Sequence, residues 1–577
     1  MVTASRRKRH QFIRVLFLTV LAATAALSLL ATVGFGGDAS LRSLAMAGAF
    51  IFEATTLVEI ALICLVTPIF MAGAIQQESS PRTWDLLLTT PMSSMGIVVG
   101  NLAGRVFFVL ALILAGLPIL LSLQILGGVN PGSVVLAAAV AAGTACVVGA
   151  AAVMLSASRT GGRRAVLWFY TGIVVALALS WIADGSLRSP VPGVLGATGT
   201  TWATPLNPFL VLESLLRPAR YVANAPLGSS GLVRFWLGQP LAAYLATCGA
   251  ATLLLIGWAI LRVRTLGPLM GRGSTSRRRL VRRPRPVGLN PIAWRASGGR
   301  PRSRLEDTAR WGWAAAALTV TVVLLSLAGG GSILPTTARS GILIVLLIET
   351  SVVILAAIAA ASTSITRDRE DGTLDLLLTT PIQSTPYLRG KLIGVGRLLT
   401  PLLLAPLTTA VLTASVLAAS RGEAAFALQT PTGLQPVASW GGLIGFALTL
   451  PAFLAFCIAI GLHWSVRSRR SSHAMLASTV IAGLAAGLLI PCVSGPGTSV
   501  AWGVTPFVSA SPLASIVLAI SGPAMLSGSP LGAGGGQWLL VVSGIIAAVG
   551  WAAIAMMSLK TTARGFVRTM RQLAGTN

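Results

Sequence analysis

The acids are scarce enough for each position to carry information: 15 Asp and Glu stand against 43 Lys and Arg. Glu53, Glu59 and Glu349 lie inside apolar stretches. A carboxyl group in such a place either serves ion or proton movement or is held by a neighbouring helix. Asp368, Glu370, Asp371 and Asp375 cluster within eight positions and have the oxygen donors of a hard-cation site. The corresponding stretch of the first half keeps only Glu78 and Asp85, so a metal site is not a repeated feature. The five cysteines, Cys64, Cys146, Cys248, Cys457 and Cys492, stand singly, which argues against a disulfide framework or a zinc site. No GxxxxGK[ST] phosphate loop is present: Gly390-Lys391 lacks both the upstream glycine and the following Ser or Thr. The chain is therefore expected to be no enzyme and to bind no cofactor itself.

The most informative pattern is a duplication. Asp85-Leu86-Leu87-Leu88-Thr89-Thr90-Pro91 recurs letter for letter as Asp375-Leu376-Leu377-Leu378-Thr379-Thr380-Pro381, 290 positions later. At the same offset Glu59 matches Glu349, Thr83 matches Thr373, and Ser94 matches Ser384. Leu374, Leu377 and Leu378 fall at i, i+3 and i+4 and share one helical face, as do Trp84, Leu87 and Leu88. Proline disfavours continuation of the preceding helix, and Thr-Pro suits the opening of the next one. The motif thus predicts an amphipathic elbow, over about 76–91 and 366–381, with Asp85 and Asp375 on another face. Directly after it, Gly100/Gly104 and Gly390/Gly394 form GxxxG pairs, which predict close helix packing in lipid.

The elements that must position these residues are membrane spans. The chain is 54% hydrophobic and 10% charged, with a mean hydropathy of +0.82, where a soluble protein would carry roughly 25% charged residues. Twelve apolar runs are predicted to span a bilayer: about 12–33, 46–74, 97–125, 133–155, 165–183, 239–261, 312–330, 341–365, 391–419, 440–464, 474–493 and 537–559. With the N-terminus inside, 36 of the 43 Lys and Arg fall on inner segments; the outer seven are Arg42, Arg188, Arg217, Arg220, Arg234, Arg339 and Arg421. The fold class expected is an all-α polytopic membrane protein of about twelve transmembrane helices. They form two parallel six-helix repeats, a pseudo-dimer, since six spans per half give both halves one orientation. The halves are 1–261 and 311–577. The Arg-rich linker 262–310 between them is expected on the cytoplasmic side against anionic lipid rather than nucleic acid. In the linker, Asn290-Pro291-Ile292-Ala293-Trp294-Arg295 predicts an interfacial helix. Asn207-Pro208-Phe209 and Ser511-Pro512-Leu513 open short helices in the long outer segments 184–238 and 494–536, either dipping into the membrane or lying on its surface.

The run Arg369-Glu370-Asp371-Gly372-Thr373-Leu374-Asp375-Leu376-Leu377-Leu378-Thr379-Thr380-Pro381, followed by Gly390-Lys391-Leu392, resembles the ABC type-2 transporter permease family. The resemblance implies six helices per half, re-entrant helices before each last span, and a coupling helix at the motif that docks on a separate ATPase subunit. The residues so implicated are Glu78, Trp84, Asp85, Leu87 and Leu88 in the first half, and Asp368, Glu370, Leu374, Asp375, Leu377 and Leu378 in the second. The first half departs from the pattern, with Ser79, Ser80, Pro81, Arg82 and Trp84 where Arg369, Glu370, Asp371, Gly372 and Leu374 stand in the other. The resemblance further implies an ATP-driven permease, an exporter, in a bacterial-type plasma membrane, with ATP used by the partner and both termini cytoplasmic. The alternatives are a secondary transporter working through Glu59 and Glu349, and a non-transporting membrane scaffold. The topology has a direct check. In a cysteine-free background, an impermeant thiol reagent on intact cells should label a cysteine placed at Ser229 and leave one at Ser276 unlabelled; the reverse pattern sinks this orientation.

Overall fold

The computed structural model describes residues 8–33, 41–72, 93–156, 163–191, 197–225, 228–271, 291–298, 304–370, 383–420, 426–430, 433–468, 471–490, 493, 505–526 and 532–574. These fall into two compact units, one within Met1–Thr275 and one within Ser276–Asn577. Among the described residues ten helices are long and apolar enough to cross a membrane, and the protein is a multi-pass membrane protein. At the other two expected spans the apolar helical segments are shorter, Gly172–Leu187 and His473–Gly487. They occupy the same place in each half, the fifth, just before the long segment that precedes the last span.

The first unit runs α1 (Lys8–Val33), α2 (Leu41–Ala72), α3 (Ser94–Ser122), α4 (Pro131–Ser156), α5 (Arg163–Leu187), α6 (Pro208–Leu216), α7 (Gly231–Gly238) and α8 (Pro240–Gly271). Its core gathers Ile60 and Ile63 of α2, Val109 and Ile113 of α3, Val134, Ala137 and Ala141 of α4, and Tyr244 of α8. Alanines and β-branched residues dominate the α4 contribution, because helices in lipid associate through close packing rather than through exclusion of water. The buried Thr144 and Tyr244 hydroxyls satisfy each other at 2.8 Å.

The helix predicted at Asn207-Pro208 is α6, and it packs on α2, α4 and α8. Asn207 caps it, its Oδ1 accepting from the Phe209 amide at 2.9 Å and its Nδ2 donating to Leu177 O at 3.0 Å. Val211 and Leu212 join the core. Three ion pairs surround this helix. Arg188 donates to Glu213 Oε2 at 2.7 Å and to Asp184 Oδ2 at 2.6 Å, and Arg217 donates to Glu53 Oε2 at 2.9 Å. Tyr221 and Thr201 both donate to Asp184 Oδ1 at 2.5 Å. Burial and the bond to Asp184 together hold the Tyr221 phenol well above its usual titration range. Glu53, one of the three acids in apolar surroundings, is thereby explained as the partner of Arg217.

The second unit contains α9 (Pro291–Gly298), α10 (Arg304–Gly329), α11 (Pro335–Ser362), α12 (Thr366–Glu370), α13 (Ser384–Ala419), α14 (Trp440–Arg467), α15 (Ser471–Gly487), α16 (Thr505–Ser509), α17 (Pro512–Leu526) and α18 (Gly532–Ala574). The linker helix expected at Asn290-Pro291 is α9, and it packs on α13. The helix expected at Ser511-Pro512 is α17, packed on α14 and α11. Ser511 Oγ accepts from the Ala514 amide at 3.3 Å and donates to Ala486 O.

The duplication is visible in the helix ends. The third helix of each half begins at matched residues, Ser94 and Ser384. In the first half Ser93 Oγ accepts from the Gly96 amide at 3.0 Å, a serine N-cap. These starts lie three residues beyond Pro91 and Pro381, which fall outside the described residues. Two short ladders interrupt the helices. Thr198–Gly199 pairs with Tyr221–Val222 in parallel, and Ala427–Thr430 pairs with Gly433–Pro436 as a hairpin. Both lie in connections between spans, where backbone groups need partners that no helix supplies.

Candidate functional site

The second motif rises from α12, one short turn beyond the end of α11. Ser465 of α14 caps that turn: its Oγ accepts from the Ile365 and Thr366 amides at 3.0 and 3.1 Å. Arg369 returns the contact, donating to Ser468 O at 2.5 Å and to Val466 O at 3.1 Å. Those carbonyls close the C-terminal end of α14, where a cation is also favoured by the helix dipole. Asp368 faces α13. Its Oδ2 accepts from Lys391 Nζ at 2.6 Å and from the Tyr387 hydroxyl at 3.3 Å. Lys391 also donates to Ser364 O at 3.0 Å and is only 6% exposed. Tyr387 stacks on Phe566 of α18 with ring centroids 5.5 Å apart. One turn thus ties together the ends of α11, α13 and α14, and through Tyr387 reaches α18.

The sequence pattern pointed to Asp368 but assigned no role to Arg369, Tyr387, Lys391 or Ser465. A signal was present: Tyr387 and Lys391 are four apart, so they share a helical face, and a lysine inside an apolar helix needs an anion. Glu370 lies on α12, and its side chain is outside the described set. Leu374, Asp375, Leu377 and Leu378 also lie outside the described residues, as do Glu78, Trp84, Asp85, Leu87 and Leu88 of the first motif. Among the described residues no three His, Cys, Asp or Glu side chains come together as metal ligands.

The intramembrane acids occupy matched places with unmatched surroundings. Glu349 is 3% exposed, and its Oε1 accepts from Thr409 Oγ1 of α13 at 3.1 Å. Thr409 in turn meets Thr321 of α10 at 2.9 Å. Glu59 is fully buried, and neither of its oxygens has a hydrogen-bond partner among the described residues. At the 290-residue offset the two threonines are replaced by Ile119 and Ala31. Gly116 of α3 lies beside Glu59, where an added Cβ would sit 3.4 Å from Oε1.

The GxxxG pairs divide. Gly390 and Gly394 are buried on α13, whereas Gly100 and Gly104 are exposed, and a Cβ at either would meet nothing within 4 Å. The close packing expected at Gly100 and Gly104 is therefore not found within the first unit. The tight glycine crossing lies at Gly441 and Gly445 of α14 against α18, a GxxxG pair that the repeat did not single out.

A family model described as ABC-2 family transporter protein matches residues 308–563. Most of the second half is thus similar to that family. The match runs from α10 into α18 and includes the whole Asp368–Lys391 cluster. The similarity supports a membrane permease component of a transporter. A comparison with curated proteins returns no match.

Proposed function

We propose that this chain is the transmembrane permease subunit of an ATP-driven ABC exporter, with both elbows serving as cytoplasmic docking sites for a separate ATPase subunit. The observation that carries the reading is the hub at Thr366–Glu370. It joins the ends of three spans to the root of a motif that the chain carries twice. An amphipathic elbow on such a root can lie on the membrane with one face and offer the other to a partner. Closure of an ATPase dimer would draw the two elbows together and tilt the second and third spans attached to each. In this scheme the two halves act as a pseudo-dimer, in a bacterial-type plasma membrane with both termini inside.

The test is Leu377→Glu with Leu378→Glu, compared with Leu87→Glu with Leu88→Glu, at matched expression. Loss of two apolar anchors is worth about 3 kcal/mol or more, so ATPase recovery in detergent should fall ~100-fold. The change at Leu377 and Leu378 should have the larger effect, because these two belong to the motif that follows the family pattern more closely. Undiminished recovery and ATPase activity with both elbows altered would overturn the docking reading. A secondary transporter is the other reading with a specific observation behind it, the carboxyl of Glu59, which has no hydrogen-bond partner among the described residues. Flux that persists in vesicles without ATP and tracks an imposed ion gradient would favour it.

A further inference from the structure

The cluster at the root of the second motif has no matched set in the first half. At the 290-residue offset Asp368 becomes Glu78, Arg369 becomes Ser79, Tyr387 becomes Ile97, and Lys391 becomes Asn101. The acid survives, but its cation, its hydroxyl donor and the arginine that grips α14 do not. The unlike positions are the ones that anchor the motif. The like positions, Asp85–Pro91 and Asp375–Pro381, are the motif itself.

We propose that Asp368 and Lys391 are positioning residues that lock the second motif to α13, so that the two halves take up motif displacement unequally, the second rigidly and the first loosely. The inference rests on the reading of the motifs as docking sites and deepens it. The side chains of Lys391 and Asp368 are 8% and 15% exposed, so separating the pair would leave each charge buried without its partner, at a large penalty. A charge-assisted hydrogen bond also fixes distance and direction, whereas apolar contacts allow sliding. Lys391 is held to the end of α11 through Ser364 O as well, and Arg369 holds the same turn to α14. Movement of residues beyond Glu370 must then carry the start of α13 with it, and through Tyr387 and Phe566 the end of α18. In the first half the residue types at these places, Asn101 and Ile97, carry neither the charge nor the hydroxyl that the lock requires. The partner's two ATP sites would accordingly work against unequal loads.

The experiment uses the full chain with its ATPase. Removing one charge alone strands the other and endangers folding. The informative variant is therefore Asp368→Leu with Lys391→Met, since a buried pair replaced by apolar groups of similar size generally keeps its stability. The exchange Asp368→Lys with Lys391→Asp is the rescue. Hydrogen exchange on the purified chain, without ATPase, should show residues 363–383 more protected than 73–93 in the wild type. That difference should vanish in the apolar variant and return in the exchanged one. In vesicles the apolar variant should lose about tenfold in transport per ATP hydrolysed, a ratio that does not depend on how much ATPase is recovered and a coupling of ordinary size, and the exchange variant should restore it. Equal protection of the two segments in the wild type, or unchanged protection in the apolar variant, overturns the lock. Raised exchange with unaltered transport per ATP shows a purely structural pair and also overturns it. Failure of the wild-type chain to recover any ATPase removes the docking reading, and with it the displacement to be transmitted. That failure is seen without any variant, so the two are told apart.

Discussion

Gly544→Val is expected to leave little or no folded second unit. Gly544 of α18 lies against Gly445 of α14 so closely that a Cβ would stand 2.4 Å from its Cα, 2.5 Å from its O and 2.7 Å from its C. A Cβ on Gly445 would meet Leu540 O at 2.5 Å, and one on Gly441 would meet Gln537 O at 2.2 Å. All of these are backbone atoms, so no rotamer change relieves the overlap and the helices must separate. Separation would break the bonds along the seam: Ser439 and the Gly441 amide donate to Gln537 Oε1 at 2.6 and 3.0 Å, and Thr449 donates to Gly544 O at 3.1 Å. Overpacking a well-filled core costs ~1–3 kcal/mol where side chains can adjust. Here they cannot, and lipid offers no apolar driving force to hold the helices together at longer range. Gly100→Ala and Gly104→Ala should leave expression and thermal stability unchanged, since open space surrounds both. Detergent size-exclusion profiles and melting curves decide the matter. A monodisperse Gly544→Val protein melting like the wild type would show that α14 and α18 do not cross there.

Glu59→Met should stabilise the protein while lowering transport. The side chain is fully buried and unpartnered among the described residues, and an unsatisfied buried polar group costs roughly 1–3 kcal/mol. Methionine fills similar volume without that cost. Glu349→Met should stabilise less, because it takes away the acceptor that Thr409 now uses. A position that lowers stability at the same place in both halves is the kind that function retains. The expected pattern is a raised melting temperature for Glu59→Met with a several-fold fall in flux at equal protein level. A raised melting temperature with unchanged flux would make Glu59 a tolerated burden of the duplication. A lowered melting temperature would mean that the carboxyl has a structural partner.

Much of the architecture could be read from local pattern, because in lipid every span must satisfy its own backbone within a helix. The apolar runs therefore announced the helices. The short helices at Pro208 and Pro512 were legible for a related reason: Asn-Pro and Ser-Pro act within a few residues, the side chain capping an amide and the ring supplying a helical φ. The linker helix also begins at a proline, Pro291, whose ring supplies a helical φ. The seven-residue identity located the motif without any structure. Contacts across the fold behaved differently. GxxxG appears at Gly100/Gly104, Gly390/Gly394 and Gly441/Gly445 alike, and the local pattern does not say which face of a helix another helix will meet. Tertiary packing brought Gly445 against Gly544 and left Gly104 in open space. The sequence pattern gave Lys391 no partner, and the turn after α11 sets Asp368 beside it at 2.6 Å. The two matched glutamates were identical in sequence terms, and only the neighbouring helices made them unlike, by placing Thr409 and Thr321 near one and Gly116 near the other. Spans, repeat and helix starts were determined by the sequence alone, because their causes act over a few residues. The lock at the motif's root, the glycine seam and the surroundings of the buried acids were decided by tertiary structure, because each depends on side chains brought together from distant helices.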